Sequence, residues 1–378
     1  MHRLKIVLVL ITSICIGNAQ NSFIIENVKL FDGESIIESV SVKVEDGIIK
    51  EVSKTIQPTD KDEVIDGKGK TLIPALSNAH VHAWAPNSLT EAAKAGVLNV
   101  MDMHGLENYQ IMLKQLKDST NFARYYVSGY AATAPEGHGT QYGFPVPTLT
   151  KPEDAKKFVE DRVKANVNYI KIIVEPWRKT LSIEIVSELI KEAHKARKIA
   201  VVHVSRLEDA IDVLSKDADG LVHIWRDQEM DKSQLKQLSE EKDFFVIPTV
   251  LTILKAIESL GEDAETYLTK KQLLAEIKKL HDIGIPILAG TDPPNLGINY
   301  GTDLYEELKL LGESGLSNIE VLKAGTSNIT KAFGLENTGY IKTGFIADLI
   351  LVDGDVTENI NTLNNSKIIW KNGKKVKL

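Results

Sequence analysis

The stretch Ile73-Pro74-Ala75-Leu76-Ser77-Asn78-Ala79-His80-Val81-His82 decides how this chain is read. A short apolar run ends in two histidines one residue apart. Positions i and i+2 of a strand share a face, so both imidazoles converge at the strand's end. Converging imidazoles suit a first-row metal ion. An isolated His-x-His is more often a hydrogen-bonded pair, so the reading turns on the rest of the chain.

From residue 71 onward, apolar strands alternate with amphipathic helices. The expected strands are 72–76, 97–101, 125–129, 169–174, 200–204, 220–224, 244–250 and 286–289, with helical segments such as 182–197 and 270–283 between them. Eight such repeats predict an α/β fold, a closed (β/α)8 TIM barrel. His80 to Asp292 spans 212 positions, about 30 per repeat over seven repeats, which fits that unit. An open doubly wound sheet is the structural rival, but no glycine-rich fingerprint follows the first strand. Residues 20–70 read as short strands punctuated by Asp32-Gly33 and Asp46-Gly47, and residues 336–378 as further strands. These terminal segments are expected to combine into a small β-sandwich domain beside a barrel spanning 71–335.

The 378 residues are 43% hydrophobic and 26% charged, ordinary for a globular chain. A net charge of −7 argues against a nucleic-acid partner, which needs a basic face. Met1 to Lys5 is basic, 6–16 is apolar, and Gly17-Asn18-Ala19 offers small residues for cleavage before Gln20. Residues 1–19 therefore read as a signal peptide, too short for a membrane span, and predict a secreted or periplasmic protein. The one cysteine, Cys15, lies in that segment, so a metal in the mature chain would be held by nitrogen and oxygen. Lipid attachment at Cys15 is the minor alternative.

In such a barrel the chemistry sits at the C-terminal ends of the strands. The polar residues expected there are His80 and His82 on strand one, Lys171 on strand four, His203 on strand five, His223 on strand six and Asp292 on strand eight. His104 and His138 fall in loops on the same face.

That order resembles the amidohydrolase superfamily over nearly all of the mature chain. The likeness rests on His80-Val81-His82, the His203 and His223 strand ends, Ala289-Gly290-Thr291-Asp292, Ala324-Gly325-Thr326-Ser327-Asn328 and the Gly339…Gly344…Ala347-Asp348-Leu349 run. Tyr169-Ile170-Lys171-Ile172 and Glu136-Gly137-His138-Gly139 look like the prolidase and imidazolonepropionase-like branch, which has secreted members. The resemblance implies two divalent metal ions, usually zinc, bridged by a carboxylated Lys171 and a hydroxide. It implies His80, His82 and Asp292 on one ion and His203 and His223 on the other, with Asp292 as the catalytic proton carrier. Ring-deaminating members typically carry a glutamate three residues after the strand-five histidine; here that residue is Arg206. Asn78 departs from the aspartate common two residues before the strand-one pair, which points to altered hydrogen bonding and not to a lost metal.

For the substrate, Trp84, Trp177 and Trp225 lie just beyond strands one, four and six, and Arg178, Arg206 and Arg226 beyond strands four, five and six. With His138 they suggest an aromatic pocket whose guanidinium, from Arg206 or Arg226, grips a carboxylate. The expected activity is metal-dependent hydrolysis of an amide-type C–N bond in a dipeptide or N-acyl amino acid. Opening of a lactone, ester or phosphotriester at the same site is the alternative, and a non-catalytic binding protein the remote one. The expected partner is a small-molecule substrate, and self-association into a homo-oligomer is left open.

Overall fold

A computed structural model describes residues 22–240, 244–261 and 266–377. The expected signal peptide lies outside them. The strands, in chain order, are β1 (Ser22–Phe31), β2 (Ile36–Glu45), β3 (Ile48–Ser53), β4 (Asp62–Asp66), β5 (Lys70–Pro74), β6 (Leu76–Val81), β7 (Val97–Asp102), β8 (Arg124–Val127), β9 (Ile170–Ile173), β10 (Ala200–His203), β11 (Gly220–Val222), β12 (Phe245–Ile247), β13 (Leu349–Asp353), β14 (Lys367–Lys371) and β15 (Lys374–Lys375).

The chain's two ends share one mixed sheet, ordered β15-β14-β13-β5-β1-β2-β3, with β4 alongside β1. β5 is the tie: it runs parallel to β1 and antiparallel to β13, setting Pro74 opposite Leu349 and Lys70 opposite Asp353. Between β2 and β3, Asp46 (φ 53°) and Gly47 (φ 80°) both take the left-handed conformation that a tight hairpin turn demands. One face buries Phe23, Ile25, Val42, Ile49, Leu349 and Trp370, with Phe23 stacked on Trp370 at 5.2 Å. The strands are joined by hydrogen bonds into one eight-stranded sheet, and its far edge curls back, with Ile48 bridging to Ile346 just before β13.

The remaining strands are all parallel. They form a three-stranded sheet, β6-β7-β8, and a four-stranded sheet, β12-β11-β10-β9. Two expectations change here. The predicted strand 72–76 is divided, its first part joining the terminal sheet as β5, while the run that carries His80 begins afresh at Leu76. The predicted strand 286–289 is reduced to one bridge, Ile287 to Val246. Pro286 has no N–H to give a ladder, which shortens the regular pairing. The segment is nonetheless bonded on both sides: Val246 N–H to the Pro286 carbonyl (3.0 Å), Leu288 N–H to Val246 (2.9 Å) and Ala79 N–H to Ala289 (2.9 Å). Ala132 links the two parallel sheets, donating to the Lys171 carbonyl (2.8 Å) and accepting from Ile173 (2.9 Å).

Side chains from both parallel sheets and from 286–289 meet in one apolar cluster that includes Ala79, Met101, Val201, Val222, Ile247 and Leu288. Helices cover the outer faces. Ile183–Lys195 buries Ile185, Val186, Leu189, Ile190 and Ala193, one stripe of a 3.6-residue period. Lys270–Asp282 opens on a reciprocal cap between Thr269 and Gln272. No helix among the described residues is long and apolar enough to cross a membrane.

Candidate active site

All six predicted metal-ligand positions line one recess at the C-terminal ends of the parallel strands, together with His104, His138, Tyr142 and Asn295. His80 lies within β6, and His82 just past its end. The pairing of β6 with β7 slips in register between Asn78 and Val81, an irregularity that re-aims side chains. The two Nε2 atoms come to 3.4 Å of one another, and Asp292 Oδ1 sits 3.2 Å from the first and 3.0 Å from the second. His80, His82 and Asp292 are a donor group compact enough for a single ion.

Backbone strain gathers here. Asp292 (φ 57°), His223 (φ 69°) and Thr249 (φ 48°) are non-glycine residues in the left-handed region. Each such residue costs of order 1 kcal/mol and persists only where its surroundings fix it. Asn78 supplies part of that fixing. Its Nδ2 donates to Thr291 Oγ1 (2.7 Å), and its Oδ1 accepts from the backbone N–H of His80 (3.1 Å) and of Thr291 (3.2 Å). With an asparagine here the side chain donates to the Thr291 hydroxyl, whereas an aspartate could only accept from it. Asp292 also accepts from Asn295 Nδ2 at 2.9 Å.

The imidazoles have assignable tautomers. His203 Nε2 lies 3.0 Å from the Glu175 carboxylate, which can only accept, so the proton is on Nε2 and Nδ1 is left with a lone pair. Thr249 Oγ1 gives its hydrogen to the Pro248 carbonyl (2.8 Å) and therefore accepts from His223 Nδ1, leaving His223 Nε2 free to ligate. The His203 and His223 rings stand 4.4 Å apart. Burial drives the basicity of His80, His203 and His223 well below that of a free imidazole, and the neighbouring Lys171 amine pushes the same way. Burial also lowers the Lys171 amine to about 7, against a smaller opposing pull from Asp292. Lys171 is 2% exposed, and no hydrogen bond from its Nζ to the protein occurs among the described residues.

Donor chemistry fits metal ions. The lone pairs on His203 Nδ1 and His223 Nε2, the Nε2 atoms of His80 and His82 that now face Asp292, and the ionised Asp292 carboxylate are all first-row ligand atoms. The Nδ1 atoms of His80 and His82 are buried without hydrogen bonds, His82 Nδ1 facing Asp102 Oδ1 only at 4.0 Å, so these rings are held from outside less firmly than His203 and His223.

The substrate-side residues divide. Trp84 joins the mouth: its ring is 6.0 Å from His82 and 5.5 Å from Tyr142, and its Nε1 donates to the His104 carbonyl (3.0 Å). His138 lines the recess, 5.0 Å from the His203 ring, with the exposed Trp177 ring 5.5 Å behind it. Gln141 takes the Gly139 N–H on Oε1, so its amide N–H faces His138 Nδ1 at 3.2 Å. Two expectations are corrected. Trp225 is wholly buried, its Nε1 donating to Glu276, and does not reach the recess. Arg206 is exposed and turned outward into a two-pronged pair with Asp209 (2.8 and 3.0 Å). Arg226 lies nearer, 3.7 Å from Glu175 and over the Tyr267 ring, so its charge is already engaged. The sequence places Arg178 in its loop and no further. Its guanidinium stacks on Trp177 at 4.7 Å, and its buried Nε has no hydrogen-bond partner.

Glu175 and Asp102 do not stand out in the sequence. Glu175 follows β9, takes the His203 and Ser205 (2.6 Å) donors, and is buried. Asp102 ends β7 and accepts from Ala83 N–H, His104 N–H and the Tyr125 hydroxyl, each at 2.9 Å. Burial lifts its carboxyl to about 6. Both are acids at the ends of parallel strands, and that position is a usable signal.

The family model of the amidohydrolase family matches residues 71–376. The chain belongs to the amidohydrolase family. This amidohydrolase is a hydrolase acting on carbon–nitrogen bonds. It is 24% identical to a 5-methylthioadenosine/S-adenosylhomocysteine deaminase of Pyrococcus furiosus, over 86% of this chain and 84% of that protein. With a 5'-deoxyadenosine deaminase of Methanosphaera stadtmanae the identity is 25%, over 88% and 86%. Among solved structures, a Xaa-Pro dipeptidase with bound methionine in its active site superposes with a TM-score of 0.80 at 21% identity, covering 94% of this amidohydrolase and 99% of that chain. A Bifidobacterium longum protein described as a prolidase gives 0.79 at 23%, covering 94% of each. At those identities the structural likeness speaks to the fold.

Proposed function

We propose that this amidohydrolase is an exported two-metal enzyme that cleaves the amide bond of a dipeptide or an N-acyl amino acid. The observation that carries the reading is Lys171: a buried amine with no hydrogen-bond partner among the described residues, set among four histidines and an aspartate. A cation so placed would be unpaired in a low dielectric, which is costly. An amine lowered to about 7 is about half free base at neutral pH, and the free base adds CO2 to form an anionic carboxylated lysine, releasing one proton to solvent. On this reading the two parallel sheets and segment 286–289 are arcs of one closed (β/α)8 barrel whose mouth holds the site.

His80, His82 and Asp292 would hold one ion and His203 and His223 the other, with carboxylated Lys171 shared; zinc suits the nitrogen–oxygen donor set. Ions bound there supply an activated water near neutral pH and polarise the scissile carbonyl. Burial alone would raise the Asp292 carboxyl, but hydrogen bonding and charge from His82, with His223 and Asn295, hold it below its ordinary value. It is therefore ionised at neutral pH and able to take a proton from the attacking water and hand it to the leaving amine. Glu175 holds the His203 ring in one tautomer. Arg178, not Arg206, is the guanidinium left to bind a substrate carboxylate at the mouth.

The named deaminase relatives favour a second reading, removal of ammonia from a purine-type ring. Against it stands residue 206, an arginine turned outward where ring-deaminating members carry a glutamate. A panel on zinc- and bicarbonate-loaded protein separates the readings: dipeptides and N-acyl amino acids, a 5'-deoxyadenosine, a lactone and a phosphotriester. Turnover of the amides is expected; fastest turnover of the nucleoside, lactone or phosphotriester would reject the amide assignment. Export rests on the pattern of residues 1–19 and predicts a mature chain beginning at Gln20 outside the cytoplasm, checked by N-terminal sequencing of the fractionated protein.

A further inference from the structure

His104 is buried, and its orientation is set from behind. The Ala131 backbone N–H points at Nδ1 from 2.9 Å, and a backbone amide can only donate. Nδ1 must therefore carry the lone pair. A flipped ring would set a C–H against that N–H, so the neutral imidazole carries its proton on Nε2. That Nε2 is buried, has no hydrogen-bond partner, and belongs to a residue lining the recess. The Gly139 backbone favours a proton on the ring without making a hydrogen bond to it. The glycine also keeps the approach clear: a Cβ there would stand 3.7 Å from His104 Nε2 and 3.1 Å from Ile173 Cδ1. A donor held in one tautomer and left unpaired inside a substrate recess is costly unless a ligand satisfies it.

The ring's neighbours describe the ligand group. His104 stacks on Phe144 (5.7 Å, 30°) and stands 6.1 Å from Tyr142 and 6.3 Å from Tyr130. What His104 offers is a neutral donor among aromatic rings, and an uncharged acceptor is desolvated there at less cost than a carboxylate. Trp177 and Arg178, which follow β9, stand beside His138 and serve the carboxylated portion of the substrate. The acyl portion remains to face His104, which follows β7.

We propose that the Nε2–H of His104 selects substrates whose acyl group is flat and carries an uncharged hydrogen-bond acceptor, lying along Phe144 and Tyr142. The proposal rests on the amide-hydrolase reading and adds a specificity-determining residue to it. A site built around a donor discriminates strongly against an isostere that lacks the acceptor, because the donor is then buried unpaired.

The test is an acceptor scan at pH 8 with four N-acyl amino acids sharing one leaving group: phenylacetyl and its 2-, 3- and 4-pyridylacetyl isosteres. At least one pyridyl compound is expected to exceed phenylacetyl by about tenfold in kcat/KM. His104→Phe, which keeps a ring and removes the donor, is expected to bring that ratio to about one, and His104→Gln, which keeps a donor, to recover part of it. General damage to the fold lowers all four rates and leaves the ratio alone. Equal rates across the wild-type scan, or a preference surviving in His104→Phe, would overturn the proposal. If no amide turns over, the hydrolase reading is what has failed, and calorimetric binding of the same four compounds then reads the same ratio. Separately, 15N-imidazole spectra are expected to show a protonated Nε2 at His104, moving downfield with the preferred pyridyl compound. A proton on Nδ1, or an Nε2–H unmoved by ligand, would also overturn it.

Discussion

Among the described residues two lysines are buried in strands, and they are treated oppositely. Lys371, on β14 of the terminal sheet, is fully buried and gives its three ammonium hydrogens to the carbonyls of Lys117 (2.6 Å), Ser119 (2.8 Å) and Phe122 (2.6 Å). Lys171, on β9, is almost as deeply buried and gives its amine to nothing among the described residues. Burial lowers both amines, to about 8 and about 7. A satisfied buried lysine ties the loop after Gln115 to the C-terminal strand. An unsatisfied one, ringed by imidazoles, is poised for chemistry.

Exchanging each for methionine separates the roles. Lys171→Met is expected to lower kcat/KM by about 10^3-fold or more and to reduce bound metal, since the shared ligand is lost. The urea midpoint of the metal-free protein should hold or rise, because a costly buried amine is replaced by an apolar chain. Lys371→Met removes the donor shared by three carbonyls and is expected to cost roughly 3 kcal/mol, seen as a lower urea midpoint with kcat of the folded protein unchanged. Equal stability losses in the two variants would break the contrast.

The same contrast between satisfied and unsatisfied groups orders the smaller effects. Glu175→Gln exchanges the acceptor that fixes His203 for an amide and is expected to weaken metal binding by about 10- to 100-fold in chelator competition. Reactivation of acid-treated, metal-free protein at fixed dissolved CO2 should rise about tenfold from pH 6 to pH 8 and then level, because the free base of an amine at about 7 grows and saturates over that interval. An ordinary lysine would gain about a hundredfold and keep rising. Arg178→Met is expected to raise KM about tenfold for carboxylated amides and to spare their carboxamide counterparts. Arg206→Gln, on the exposed Asp209 pair, should change neither by more than about twofold.

How much the sequence made legible depends on which signals are local. The His80-Val81-His82 pair, His203, His223 and Asp292 lie at the ends of apolar runs and Lys171 within one, and strand direction brings these positions together. Their partners were harder to see. Glu175 serves a histidine 28 residues on, and Thr249 one 26 residues back, so neither pairing has a short-range pattern. Trp225 and Arg206 show that a loop's position does not fix where its side chains turn: one is captured by Glu276, the other by Asp209. Lys371 sits in an Ile-Ile-Trp-Lys run much like the context of Lys171, and only the carbonyls around it distinguish the two. The eighth strand was readable as apolar but not as irregular, because Pro286 shortens its ladder while the hydrogen bonds to Val246 and Ala79 persist.

The most direct measurement of the central claim is metal content combined with 13C spectroscopy, on protein prepared with zinc and 13C-bicarbonate. Two zinc ions per chain and a carbamate resonance that disappears in Lys171→Met are predicted. At most one ion per chain, with no such resonance and an unmodified amine at position 171, would contradict it.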